Sequence, residues 1–199
     1  MKKKFRIIKF KKNKPILQIK GLSKSFEGRP ILKKINLDLF SGEILGLLGP
    51  NGCGKTSLYG CILGRYKVDS GKIFLGQKDI SSLPIHERAK MGIGYLSQYR
   101  SVFSMTTYDN LLAVVQLNEK KVENQRTMVE KLLTEFNLEH LKNINANLLS
   151  GGEVRRLQIA RTLVNKPKII LLDEPMAALD PIVVQDIQNY ILKLQSYGT

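Results

Sequence analysis

The segment that most constrains this chain is Gly49-Pro50-Asn51-Gly52-Cys53-Gly54-Lys55-Thr56. It follows the apolar run Ile44 to Leu48, read as a buried strand, and opens Lys55 to Leu63, read as a helix. Glycines in such a strand–loop–helix let backbone N–H groups turn inward around phosphate oxygens, and the helix start adds the positive end of its dipole. Lys55 carries a point charge suited to β- and γ-phosphates, and Thr56 offers a hydroxyl to Mg²⁺. Taken alone, the run is only a flexible loop before a helix. The strand before it and the helix after it are the context that makes it a phosphate site.

A second segment supplies the acids. Ile169-Ile170-Leu171-Leu172 is apolar throughout, as a parallel strand buried on both faces should be, and it ends in Asp173-Glu174. Carboxylates at the C-terminal end of a parallel strand lie where such sheets bind ligands. Asp173 is therefore a candidate Mg²⁺ ligand, usually acting through water, and Glu174 a general base for an attacking water. By themselves these are two solvated acids at a strand end. Beside a phosphate loop they complete a hydrolytic set.

The run Leu149-Ser150-Gly151-Gly152-Glu153 precedes a helix carrying Arg155, Arg156 and Arg161. Ser150 reads as an ordinary N-cap. Its hydroxyl and the adjacent glycines also form a second anion site, which a single chain does not need, and that points to a dimer.

The rest of the chain frames these segments. Ile16 to Lys20 and Ile35 to Phe40 alternate as short antiparallel strands, Ser41-Gly42 turns, and further strands are expected around Ile73 to Leu75 and at Ile93 to Leu96. From about Tyr99 to Leu149 the pattern is helical, with Leu132, Leu133, Phe136 and Leu141 at helical spacing, and a helix is expected from about Gly152 to Val164. Strands alternating with helices imply an α/β domain with a mainly parallel sheet. No apolar run reaches the length of a membrane-spanning helix, the N-terminus is too polar for a secretory signal, and Cys53 and Cys61 make no disulfide framework. A cytoplasmic location is the expectation from these features. His86 and His140, the only histidines, lack the spacing of a metal site.

In their order along the chain, the phosphate loop, Gln98, Leu149 to Glu153, Asp173-Glu174 and Ala178-Leu179-Asp180 resemble the ABC ATPases, over residues 16 to 199. That resemblance implies a P-loop NTPase with a RecA-like core, an antiparallel β layer and an inserted α-helical subdomain. The expected divisions are a basic tail at 1–15, a first core part with the β layer at 16–98, a helical subdomain at 99–150, and a second core part at 151–199. ATP and Mg²⁺ are the implied cofactors. Phe26 falls where the family stacks an aromatic on adenine, although for a Phe taken alone ordinary packing is the better explanation. Ser57 joins the loop residues in holding ATP. Gln98 would act in catalysis and at the metal, linking both to a transmembrane partner. Ser150, Gly151, Gly152, Glu153 and Asp180 would meet the ATP of the opposite subunit in a homodimer. Two permease subunits would dock beside Gln98, on a groove lined by Val102, Phe103 and Tyr108.

Segments outside the ATP site, including Leu83 to Ala89, Gly92 to Gln98, Tyr108 to Leu111 and Phe136 to Leu141, are most similar to the lipopolysaccharide-export branch of the family. They imply a motor for lipopolysaccharide extraction, peripheral on the cytoplasmic face of the inner membrane. Branched-chain amino-acid importers share many of these segments, and a soluble ABC ATPase acting on ribosomes or DNA is the reading from another class. Departures are Cys53, Ser97 and Val154, where Ala, Pro and a basic residue are usual, and Ala177-Ala178 in place of a pair with Gly or Ser. The family also carries a switch histidine beyond the position of Thr199, so the resemblance implies an incomplete chain or one without that γ-phosphate sensor, with low turnover. The net charge of +15 invites a nucleic-acid reading, but eight basic residues and no acid lie within residues 1 to 15. A solvated tail accounts for them, and no nucleic acid is expected.

Overall fold

The computed structural model describes residues 14–99, 101–177, 179–196 and 199. The expected basic tail thus lies almost entirely outside the described residues, as does Ala178. Strands β1 (Leu17–Phe26) and β2 (Arg29–Leu39) form an antiparallel hairpin around Glu27 and Gly28. With β3 (Ser70–Leu75) and β4 (Lys78–Asp79) they make a four-stranded sheet in the order β2-β1-β3-β4. Both strands of the hairpin run longer than their alternating cores predict, because register shifts between Ile19 and Leu22 absorb the break in pattern.

Helix α1 (Lys55–Leu63) has the expected bounds and buries Leu58, Cys61, Ile62 and Leu63 under the antiparallel sheet. Nine residues are too few for a stable isolated helix, so tertiary contacts must hold it. The main clamp is Arg88 of α2 (Ile85–Lys90), a short helix with no counterpart in the sequence reading. Arg88 is only 2% exposed. Its guanidinium donates to Cys61 O at 2.7 Å and Ile62 O at 2.8 Å, and to Leu83 O and Ser81 O at 2.8 and 3.0 Å. The last carbonyls of α1 are thereby satisfied by a cation at the negative end of the helix.

Strands β5 (Ile93–Leu96) and β6 (Ile169–Leu172) pair in parallel, both with the bounds read from sequence. Each face of this pair meets a different core. Ile93, Ile169 and Leu171 join the cluster under the β layer, whereas Leu96 and Leu172 face the helical cluster. That second cluster is built from α3 (Thr107–Val115), α4 (Val122–Glu135), α5 (Gly151–Leu163) and α6 (Pro181–Ser196), with Leu111, Val115, Leu133, Phe136 and Leu157 at its centre. Helix α6 also had no counterpart in the sequence reading. Short 3₁₀ turns at Glu139–Leu141 and Ala146–Leu148 connect α4 to α5.

One expectation needs correction. Ile44 to Leu48 is neither a strand nor buried: Ile44 is 51% exposed and Leu48 98%. Ile44, Leu45 and Leu47 instead line an apolar cleft of about 140 Å³, with residues 169–172, Ile191 and Leu194 among its other walls. The run faces β6 across that cleft without joining its ladder. Among the described residues, the parallel layer therefore consists of β5 and β6 alone.

Replacing Arg88 by Ala leaves buried carbonyls unpartnered at the end of α1, so Arg88→Ala should lower stability by about 3 kcal/mol or more. The midpoint of urea unfolding measures this; a midpoint within error of the parent chain would show that the clamp contributes nothing.

Candidate functional site

The first turn of α1 is open. Its N-cap is Gly54, no side chain caps it, and no acid lies in its first turn. Gly54 adopts φ 103°, and a Cβ there would come within 3.0 Å of Leu32 and 3.1 Å of Ile31, so the position admits only glycine without strain. An uncapped helix start with free N–H groups is an anion site. Lys55 leads the helix and folds back over the loop, its Nζ donating to Gly49 O at 2.6 Å and Pro50 O at 3.0 Å.

Across from this end stand the acids of β6. Asp173 is 6% exposed. Its Oδ2 accepts from Thr56 Oγ1 at 3.5 Å and from the Tyr95 hydroxyl at 3.3 Å. Tyr59 of α1 donates to Leu172 O at 3.3 Å, tying the helix to the strand that carries Asp173. Burial first, and then the Asp173 carboxylate, pushes both phenols above their ordinary pKa, so each remains a donor. Thr56, Asp173 and Gln98 offer hydroxyl, carboxylate and amide oxygen, a donor set that fits a hard divalent cation such as Mg²⁺.

Glu174 is exposed and follows the strand with φ 46°, in the left-handed region that costs a non-glycine residue about 1–3 kcal/mol. Three bonds hold it there. Gln98 Nε2 donates to Glu174 Oε2 at 2.6 Å, Arg155 Nη2 donates to Glu174 O at 3.1 Å, and Ala177 N donates to the same carbonyl. Glu174 lines one cleft with the phosphate-loop residues, whereas Asp173 does not.

A cleft of about 470 Å³ gathers Phe26, Ile31, Asn51, Gly52, Gly54, Lys55, Thr56, Ser57, Gln98 and Glu174. Most residues expected at the nucleotide from the cis side thus share one wall-to-wall space, with Asp173 just behind Thr56. Gly49, Pro50 and Cys53 belong to the same loop without lining the cleft. Phe26 packs edge-on against Tyr66, with ring centroids 5.0 Å apart, so an aromatic shelf stands at one end.

The residues expected to act in trans lie elsewhere. Ser150 caps α5 and forms a capping box: its N–H donates to Glu153 Oε2 at 2.7 Å, and Glu153 N donates to Ser150 Oγ. Burial raises the Glu153 carboxyl, but the Ser150 backbone N–H, its hydroxyl and the Arg156 charge outweigh that and hold it below its ordinary pKa. A Cβ on Gly152 would meet Val183 of α6 at 2.9 Å, so close helix packing is one reason for glycine there. Ser150, Gly151 and Asp180 are exposed and none lines the cleft.

Arg155, noted in the sequence only as part of a basic helix, does more than its neighbours. It is 5% exposed and donates to Ser97 O at 2.8 Å as well as to Glu174 O, so one guanidinium on α5 joins the backbones beside Gln98 and Glu174. Ile31, Tyr59 and Tyr95 were likewise missed. The signal for Tyr59 was its place one turn after Thr56, facing β6. For the docking groove, Phe103 is 44% exposed and one ring face carries the Arg161 guanidinium at 4.2 Å. Val102 and Tyr108 are half-buried against the helical core.

Cys53 is exposed in the loop while Cys61 is buried in α1. Cys53 should therefore be alkylated first, and nucleotide on the loop should shield it. Peptide mapping that finds equal labelling of Cys53 with and without ATP would contradict nucleotide binding at this loop.

Comparison with known proteins agrees with this geometry. A family model described as ABC transporter matches residues 32–177. The lipopolysaccharide export system ATP-binding protein LptB of Escherichia coli K12 is 46% identical over 184 residues, which is 92% of this chain and 76% of that protein. LptB of Haemophilus influenzae is 45% identical over 92% of this chain and 77% of its own length. Among solved structures, cbiO1 from Clostridium perfringens, part of the ABC transporter complex cbiONQ, superposes with a TM-score of 0.85 at 31% identity, covering 94% of this chain and 76% of that one. A dimeric ATP-binding cassette in a post-hydrolysis state with ADP and Pi superposes at 0.81 with 28% identity, covering 92% of this chain and 84% of that one. The open helix start, the paired acids and these likenesses agree, and the chain belongs to the ABC transporter family as an ATP-binding ATPase.

Proposed function

We propose that this chain is the ATP-hydrolysing motor of a transporter that draws lipopolysaccharide out of the inner membrane. The observation that carries the motor is the 2.6 Å bond between Gln98 and Glu174 above the open start of α1. The cargo rests on the 46% identity to LptB across 92% of the chain. Loop N–H groups and Lys55 bind the β- and γ-phosphates, and Phe26 stacks on the adenine. Thr56 with Gln98 and, through water, Asp173 would hold Mg²⁺, which would supply positive charge beside the phosphates. Glu174 accepts a proton from water as its oxygen bonds to the γ-phosphorus, while the bond to the leaving β-phosphate oxygen breaks. Gln98 keeps that carboxylate aimed.

Ser150, Gly151 and Asp180, which are exposed, complete the ATP site of a second copy together with the half-buried Gly152 and Glu153, in a head-to-tail homodimer. Their distance from the chain's own cleft supports that assignment. Two permeases dock on Phe103, Val102 and Tyr108, each through a short helix. Among the described residues no helix is long and apolar enough to cross a membrane, in keeping with a subunit that reaches the cytoplasmic face of the inner membrane through those partners. The proposed division of the chain runs from the β layer and first core part, 16–98, through the helical subdomain, 99–150, to the second core part, 151–199.

Glu174→Gln should slow phosphate release by about 10² to 10⁴, the usual worth of a general base, and trap an ATP-bound dimer visible by light scattering. Unchanged turnover removes Glu174 from catalysis, and a variant that stays monomeric at saturating ATP removes the sandwich. Truncating a half-exposed aromatic anchor can cost about 2 kcal/mol of an interface. Phe103→Ala should accordingly release the permeases in co-purification while sparing ATP binding; retained partners would end the docking role.

A further inference from the structure

Asp173 is the buried acid of the site, and its Oδ2 is approached from two sides, by Thr56 Oγ1 at 3.5 Å and the Tyr95 hydroxyl at 3.3 Å. Thr56 belongs to the proposed metal shell, and its hydroxyl would be shared with the cation. Tyr95 is not a ligand. It lies on β5 directly across from Leu171, two residues before Asp173 on the paired strand. Asp173 N donates in turn to Leu96 O at 3.0 Å, which fixes the backbone of the acid against the strand that bears Tyr95.

The ring itself is braced. Arg65, in the turn after α1, stands with its guanidinium 4.7 Å from the centre of the Tyr95 ring. The same turn presents Tyr66 to Phe26. A phenol that only filled space would serve equally well as phenylalanine. Here the hydroxyl ends on a carboxylate oxygen of the acid assigned to the proposed metal shell. A hydrogen bond to one carboxylate oxygen sets the torsion of the group and aims the other oxygen, and such partners change metal affinity by about 10–100-fold when removed.

We propose that Tyr95 is a positioning residue for the Asp173 carboxylate and sets how tightly the site takes Mg²⁺. The proposal rests on the Mg-ATP reading of this site and can fail separately from it. The test follows binding of a fluorescent ATP analogue to the purified full chain, in EDTA and across a Mg²⁺ titration, for the parent, Tyr95→Phe and Asp173→Asn. Tyr95→Phe should bind the analogue in EDTA as the parent does, yet need about tenfold more Mg²⁺ for half of the metal-dependent gain. Asp173→Asn should lose that gain. An unchanged Mg²⁺ midpoint in Tyr95→Phe, with the response lost in Asp173→Asn, overturns the role of Tyr95 and leaves the Mg-ATP reading standing. Weaker binding by Tyr95→Phe in EDTA would mean a packing role and overturn the proposal as well. A parent chain with no Mg²⁺ response removes the metal reading and this proposal with it.

Discussion

The site depends on a short helix that is open at one end and clamped at the other. Nine residues of α1 cannot hold a helical conformation alone, and the N-terminal end must stay uncapped to receive phosphate. The stabilisation forfeited there comes from the far end, where Arg88 takes up carbonyls, and from the buried Leu58, Ile62 and Leu63. A buried cation without a carboxylate partner is normally a liability. Against the carbonyl end of a helix it finds partial negative charge and acceptors together.

Arg155 repeats the device on the other side of the site. It too is buried and bonds chiefly to carbonyls, in this case Ser97 O and Glu174 O. Guanidinium groups suit such work because several fixed donors radiate from one plane. The left-handed turn at Glu174 is tolerable because this side chain and Gln98 determine its place from both directions. Strain and bracing occur at the same residue, as they do where a backbone is bent to aim a reactive group.

How much of this was legible in the sequence follows from the range of each interaction. The phosphate loop, α1, β5, β6 and most of α5 were readable because their signals are local: glycine spacing, apolar runs and a capping serine. Ile44 to Leu48 misled because an apolar run records a wish for burial, and says nothing of whether a bonded neighbour is there. Helix α2 has only six residues, too few to show a period, whereas α6 places Val183, Ile187, Tyr190, Ile191 and Leu194 at helical spacing, a stripe that the sequence does carry. Arg88, Arg155 and Tyr95 gave no signal because each acts through residues far away in the chain; Arg155 reaches Ser97, 58 positions back. A lone polar residue has no pattern to read until the fold supplies its partners.

The β5–β6 pair, buried on both faces by different cores, has a mechanical consequence. Ile93 is seated in one body and Leu96, three residues on, in the other, so the strand works as an axle through both. Its four residues are bonded along their length to β6, and the bonding stops at Leu96. Gln98 lies two residues beyond Leu96, so a displacement of the strand's end would meet the Glu174 carboxylate through their 2.6 Å bond before it disturbed the paired strands beneath.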